Sequence, residues 1–276
     1  MKEFWRLYSK NIGGVLGLAF IVLVVIMAAI ASLLYPTGPF TLTGSSYAQP
    51  FHDIFPLGTD SLGRDVAAGI VWGARVSLLV GFTTTLIAVF IGVVIGCLAG
   101  YFGGVTDSVL MRFTEVFQTI PSFIFGIVLV AIMSPSLYSV VIAIAVVTWP
   151  AVARLVRGEF LALRNREFVI AAVAMGMSNT RIILTQILPN TLSPIIVISS
   201  LMVATAILFE AGLSFLGLGD PNVMSWGFMI GAGRNALRTA WWNSTFPGVA
   251  ILLTVLAINL IGEGLNDALN PKLRDK

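Results

Sequence analysis

Long apolar tracts, parted by short polar breaks, run almost the whole length of this chain. Ile12–Leu34 carries no charge, and about 20 apolar residues in a helix cross a bilayer core of ~30 Å, so this tract predicts a first transmembrane span. Lys2, Arg6 and Lys10 precede it and Ala29-Ile30-Ala31 resembles a cleavage site, the look of a signal peptide. The apolar core of a signal peptide runs only roughly 7–15 residues, so the longer tract predicts a retained helix. Pro36–Gly73 changes character: Pro36, Pro39, Pro50 and Pro56, several glycines, and Asp53, Asp60 and Asp65 predict a loop, with one short helical piece after the Gly58-Thr59-Asp60 turn.

Arg75–Phe102 predicts the second span. Gly92, Gly96 and Gly100 fall on one narrow helical face, the spacing that lets another membrane helix approach closely, though glycine is also simply common in such helices. Val109–Met133 predicts a third span, kinked at Pro121, with Arg112 and Glu115 able to pair across a turn. After Ser134-Pro135-Ser136 comes a fourth, Leu137–Ala153, with Pro150 near its end. Thr191–Leu218 is the fifth, Gly219–Phe246 a loop, and Pro247 to about Leu265 the sixth. The fold class expected is an all-α membrane protein of six helices. Residues 1–74 would form a tail, first helix and outer loop, and 75–276 a five-helix core containing a polar loop at 158–190.

Charge sets the expected orientation. With the N-terminus inside, twelve of the 16 Lys and Arg residues fall inside, among them Arg112, Arg154, Arg157, Arg164, Arg166, Arg181, Lys272, Arg274 and Lys276. Arg64, Arg75, Arg234 and Arg238 fall outside. The positive-inside rule then places both termini in the cytoplasm.

The same rule places Glu159–Asn190 there, the longest helix-forming stretch too polar for lipid. Leu161, Phe168, Ala172 and Met175 lie near one helical face, Gly176 interrupts, Ser178 can cap a second helix, and Leu188-Pro189 should stop it. Small Ala171 and Ala172 would let a partner approach the backbone. Pattern alone leaves open whether this hairpin docks on a protein or lies on lipid headgroups.

Composition narrows the class. The 276 residues are 57% hydrophobic and 11% charged, mean hydropathy is +0.96, and ordinary domains carry roughly a quarter charged residues. A net charge of +3 without a basic patch gives no case for nucleic acid. One cysteine (Cys97) and one histidine (His52) exclude an intrachain disulfide and a zinc cluster. No phosphate loop of the G-x-x-x-x-G-K-[ST] type occurs, so ATP hydrolysis by that route is not expected here. Catalytic residues, metal ligands and a cofactor on this chain are therefore not expected. Glu210, near the outer end of the fifth span, costs at least a few kcal/mol unless paired or hydrated. It reads as a pathway or gate residue, or as a structural tie to Arg234, Arg238 or nearby backbone. Trp226, Trp241 and Trp242 read as interfacial anchors. Asp60, Arg64 and Asp65 could meet an external protein or close a surface helix.

Ala171-Ala172-x-x-x-Gly176, followed after twelve residues by Pro189 in Ile187-Leu188-Pro189, resembles the EAA motif of ABC-importer permeases. Ile170 stands where that motif has its leading Glu and Gln186 where it has Ile, departures similar to the oligopeptide, dipeptide and nickel branch. Pro56–Asp65, Gly73–Leu78, Leu213–Gly219, Trp226-Gly227, Phe246–Gly248 and Gly264–Lys272 resemble the dipeptide-permease C-type subunit, at the right order across nearly the whole chain. The resemblance implies a type I importer permease fold in a bacterial inner membrane. It also implies a homologous second permease subunit, two cytoplasmic ATPase subunits carrying ATP and Mg, an extracytoplasmic substrate-binding protein, and a membrane-lipid surround. Glu167, Phe168, Ala171, Ala172, Met175, Gly176, Ser178, Arg181 and Pro189 would couple to the ATPases, while Asp60, Arg64 and Asp65 stay open between a contact with the binding protein and a helix on the membrane surface. Di- or oligopeptides are the expected substrates, with nickel or a metal chelate as alternative. From another class, an ion-coupled secondary transporter would need ionisable groups at mid-membrane, and a membrane enzyme would need clustered acids, His or Cys.

Overall fold

The computed structural model describes residues 2–51 and 54–269. Met1, His52, Asp53 and residues 270–276 lie outside the described residues, and with them Asn270-Pro271-Lys272 and the basic Lys272, Arg274 and Lys276 named above.

A short N-terminal helix α1 (Lys2–Tyr8) leads into α2 (Ile12–Ala29) and a single turn α3 (Ala31–Leu34). Then come α4 (Val66–Phe102), α5 (Gly104–Thr119), α6 (Ser122–Met133), α7 (Leu137–Leu163), α8 (Glu167–Ala174), α9 (Asn179–Ile182), α10 (Leu188–Phe215), α11 (Trp226–Gly233) and α12 (Trp242–Leu269). Helices α2, α4, α7, the α9–α10 unit and α12 are each long and apolar enough to cross a membrane, and α5 and α6 pass the same test only together, as a pair bent by 83°. Leu16, Leu86, Phe90, Ile132 and Leu252 stand exposed on these helices, as side chains facing lipid tails should.

Several boundaries differ from expectation, each for a local reason. The second span begins at Val66, not Arg75, because the Asp65 carboxylate accepts the Ala67 amide and caps the helix there. The short helical piece expected after Asp60 is the first turn of α4, and the boundary at residue 74 falls inside that helix. At 37 residues and 1.5 Å per residue, α4 reaches roughly 55 Å and projects beyond a bilayer core. The third span begins at Gly104 and breaks at Pro121. Ile120 is extended at φ −93°, ψ 133°, as residues before proline are pushed to be, so a break replaces a kink. The fourth runs on to Leu163 with Pro150 inside it, so Glu159–Leu163 belongs to α7. The sixth starts at Trp242, and the preceding loop contains α11.

Pro189 does not end a helix. Between α9 and α10, Ile183–Ile187 forms a π turn, and the Leu188 amide bonds to the Ile183 carbonyl. Pro189 stands in the first turn of α10, where helix amides need no partner, just where the ladder changes from π to α spacing. One continuous rod thus joins the polar island to the fifth span.

The tightest seam is between α4 and α7. A Cβ placed on Gly92 would stand 2.5 Å from the Val152 Cβ, on Gly96 2.6 Å from the Ala153 carbonyl oxygen, and on Gly100 2.5 Å from the Phe160 Cβ. The glycine face predicted from spacing is therefore a groove that receives α7. A second seam joins α2 to α12, where Gly17 meets the Ala257 carbonyl and Gly14 meets Gly264, and the Asn11 amide donates to Asp267 over 2.8 Å. Two of the three tryptophans read as interfacial anchors are core residues instead. Trp226 and Trp242 are buried and donate to the carbonyls of Ile70 and Thr59; only Trp241 is exposed. Trp226 is covered by α4 at Ile70 and Gly73, and Trp242 by the outer loop at Gly58 and Thr59.

The glycine seam makes a direct prediction. Gly96→Leu should destabilise the detergent-solubilised protein by about 1–3 kcal/mol, the usual cost of overpacking. Gly248→Ala has no atom within 4 Å of its new Cβ and should be neutral or slightly stabilising. Thermal unfolding of the two variants measures the difference.

Candidate functional site

The polar island is held to the core by a small buried cluster. Val169 and Ala172, three apart on α8, pack with Phe160, Val156 and Val152 of α7 and with Ile182 and Ile187 of the rod. Ala172 is 1% exposed, so it cannot meet a partner. The expected stripe splits because Arg164–Arg166 turns the chain and the helical count restarts at Glu167. Leu161 stays on α7, Ala172 turns inward, and Phe168 and Met175 turn outward. With Ala171, Ile170 (59% exposed), Val173 (56%) and Met175 (74%) they form an apolar outer face on a helix otherwise edged by charge, more than an isolated helix on a soluble surface would show.

Gly176 terminates α8 at φ +76°. The Met177 amide bonds to the Ala172 carbonyl and the Gly176 amide to the Val173 carbonyl, the paired bonds of a Schellman turn, which favour glycine at this left-handed position. Nothing lies within 4 Å of a Cβ placed there. Glu167 is exposed in the first turn of α8, favourable to the helix dipole. Ser178 takes the N-cap position of α9 but makes no side-chain cap bond. Arg181 and Pro189 are exposed on the rod.

An ion pair absent from the sequence reading braces this element. Arg157 donates bidentately to Asp107, at 2.5 and 2.6 Å, tying α5 to α7 about two turns before α7 ends. Arg164 reaches the Gly100 carbonyl at 3.4 Å. Asp107 and Arg157 are 50 positions apart, and no spacing rule could have joined them. Arg112 and Glu115 do meet, at 3.5 Å, on an exposed face, where such pairs contribute little.

Beside the α5–α6 break, a groove of about 620 Å³ opens between α5, α6, α7 and α10. Gln118, Ser122, Thr148, Thr205 and Arg154 supply its polar wall, and Ile120, Val147, Leu201 and Phe209 part of its apolar wall. No spacing in the sequence marks this groove, since its four walls come from separate segments.

Glu210 is placed elsewhere. It is 3% exposed and accepts from Ser214 and Ser225 at 2.7 Å each and from Ser77 at 3.5 Å. Among the described residues it has no basic partner; Arg234 instead donates to the Phe215 carbonyl. Three hydroxyls supply the polar contacts a buried carboxyl requires, and through Ser225, the cap of α11, they fasten α11 to α4 and α10. The outer candidates are likewise engaged in folding. Asp60 accepts the amides of Leu62 and Arg64, Arg64 lies 5.0 Å over the Phe40 ring, and Asp65 caps α4. Burial pushes the Asp65 carboxyl above the ordinary carboxylate range, while the Ala67 and Ala68 amides pull it back.

Comparison with known proteins follows from this geometry. The fold is similar to the inward-facing MetNI methionine ABC transporter, with TM-score 0.60 over 73% of this chain and 96% of that one at 18% identity. It is also similar to an amino acid ABC transporter, with TM-score 0.57 over 72% and 94% at 14% identity. The architecture is thus the all-α permease fold of type I ABC importers. Residues 92–275 match the family model of binding-protein-dependent transport system inner membrane components, and residues 1–51 match the N-terminal transmembrane domain of oligopeptide transport permease C. The chain is 40% identical to the di/tripeptide transport system permease protein DppC of Pseudomonas aeruginosa, over 100% of this chain and 93% of that one. It is 38% identical to the oligopeptide transport system permease protein OppC of Haemophilus influenzae, over 98% and 88%. With the glutathione transport system permease protein GsiD of Pectobacterium atrosepticum the identity is 38%, over 99% and 91%. The chain belongs to the family of binding-protein-dependent transport system inner membrane components: it is an ABC-importer permease subunit, multi-pass in the inner membrane, and a transport component rather than a catalyst.

The Glu210 cluster yields a test of structural role. Glu210→Leu orphans three hydroxyls and should cost about 3 kcal/mol of stability, whereas Glu210→Gln, which keeps an acceptor, should cost about 1 kcal/mol. Unfolding midpoints of the purified variants decide.

Proposed function

We propose that this subunit forms one half of the conduit of an ATP-driven importer of short peptides. The relatives named above carry dipeptide, di/tripeptide, oligopeptide and glutathione in their names, and this common peptide chemistry supports the substrate class. A homologous second permease subunit completes the conduit across the open side of the groove. An extracytoplasmic binding protein delivers substrate to the outer segment that contains Asp60, Arg64 and Asp65. Two cytoplasmic ATPase subunits, carrying ATP and Mg, receive α8, and both termini lie in the cytoplasm.

The observation that carries this reading is the build of α8. Its apolar outer face of Phe168, Ile170, Ala171, Val173 and Met175 is free, while its inner face is locked to α7 and to the rod that becomes α10. A push on α8 therefore moves α7 and α10, both of which wall the groove, together. A packed element biased by a ligand at each end is the physical requirement for such coupling. The Gly176 turn sets where α8 stops and the rod begins.

Gly176→Arg puts a bulky cation on the exposed turn and a side chain at positive φ, costing roughly 1–2 kcal/mol locally. In the assembled transporter it should cut peptide delivery per ATP hydrolysed at least tenfold while membrane insertion stays intact. Transport and ATPase stimulation measured in proteoliposomes check this, and unchanged delivery would overturn the coupling role of α8.

A further inference from the structure

The groove between α5, α6, α7 and α10 holds one ionic side chain, Arg154. Its neighbours in charge are otherwise occupied: Arg157 by Asp107, Arg112 by Glu115, and Arg164 by the Gly100 carbonyl. Among the described residues, Arg154 has no carboxylate within 4.0 Å and makes no side-chain hydrogen bond. Arg154 is exposed at the inner end of the fourth span, so its guanidinium can stay charged and hydrated while it faces the groove. The rest of the polar wall is neutral. The hydroxyls of Thr148 and Thr205 donate to their own helix at Ile144 and Leu201, so their oxygens can still accept, and among the described residues the Gln118 amide and Ser122 hydroxyl make no side-chain hydrogen bond. Such groups can meet peptide N–H and C=O groups of any sequence. The volume of about 620 Å³ lies in the range of small-ligand sites.

We propose that Arg154 is a charge-selecting residue of this groove, favouring passage of short peptides with acidic side chains and disfavouring those with basic ones. Neutral wall groups bind what all peptides share, and the single fixed guanidinium distinguishes what they do not. The inference rests on the reading of the groove as a wall of the conduit.

The test uses the complete transporter, with its ATPases and binding protein, in proteoliposomes, and follows uptake of labelled Ala-Ala, Ala-Asp and Ala-Lys. The binding protein is the same for every permease variant, so its own preferences cancel when variants are compared. Arg154→Gln should lower the ratio of Ala-Asp to Ala-Lys uptake about tenfold, as expected for a unit charge met in a partly hydrated, partly screened setting. Arg154→Lys should restore most of the ratio, and Arg154→Glu should invert it. An equal change for all three peptides, or none, overturns charge selection and points to a structural role or a contact with lipid phosphate. Thr205→Trp, at an exposed groove position, separates the two readings. If it leaves uptake intact in an assembled complex, the conduit reading fails and the inference with it. If it blocks uptake while Arg154→Gln leaves the ratio unmoved, the inference fails alone.

Discussion

Direct contact between the backbones of α4 and α7 is the constraint on which the rest of the molecule depends. In lipid there is no hydrophobic force between helices, so association rests on close packing. Gly92, Gly96 and Gly100 let α7 seat Val152, Val156 and Phe160 against α4. Those same residues form the floor on which Val169 and Ala172 of α8 rest. One turn further out, Trp149 packs on Ala88 and Ala153 and offers its ring to Phe113 and Phe117 of α5. The seam thus supports α8 at one end and the bent α5–α6 pair along its flank.

Two polar clusters inside the subunit act as fasteners. Glu210, Ser77, Ser214 and Ser225 close a buried set around α11, and Asp107 with Arg157 locks the entry to the polar island. In surroundings of low polarity an unpaired group is costly, so satisfied clusters hold a single arrangement. Arg154 and the apolar outer face of α8 stand exposed outside these clusters. The proposals for transport and coupling attach to these two places.

Most spans were legible in the sequence because a bilayer demands the same thing of every span: about 20 apolar residues with no charge. The glycine face was legible for a similar reason, since a helix repeat turns i, i+4 and i+8 to one side. Helix ends were less so. Whether Pro121 kinks or breaks its helix, and whether Pro189 stops one or rides a π turn, depends on what packs around the bend. The burial of Trp226 and Trp242 was hidden because their partners, Ile70 and Thr59, lie 156 and 183 positions away.

The sequence by itself determined that this is an all-helical membrane protein, that Gly92, Gly96 and Gly100 share one face able to receive another helix, and that one polar element stands between two spans with a break at Gly176. Those conclusions follow from hydropathy, periodicity and positive-φ preference, all local properties of the chain. Only the tertiary structure decided which side of α8 is free, that Glu210 is tied by serines rather than arginines, and that Arg154 alone lends charge to the groove. Each of those is a matter of which distant side chains come within hydrogen-bonding or packing distance, and the fold alone sets such distances.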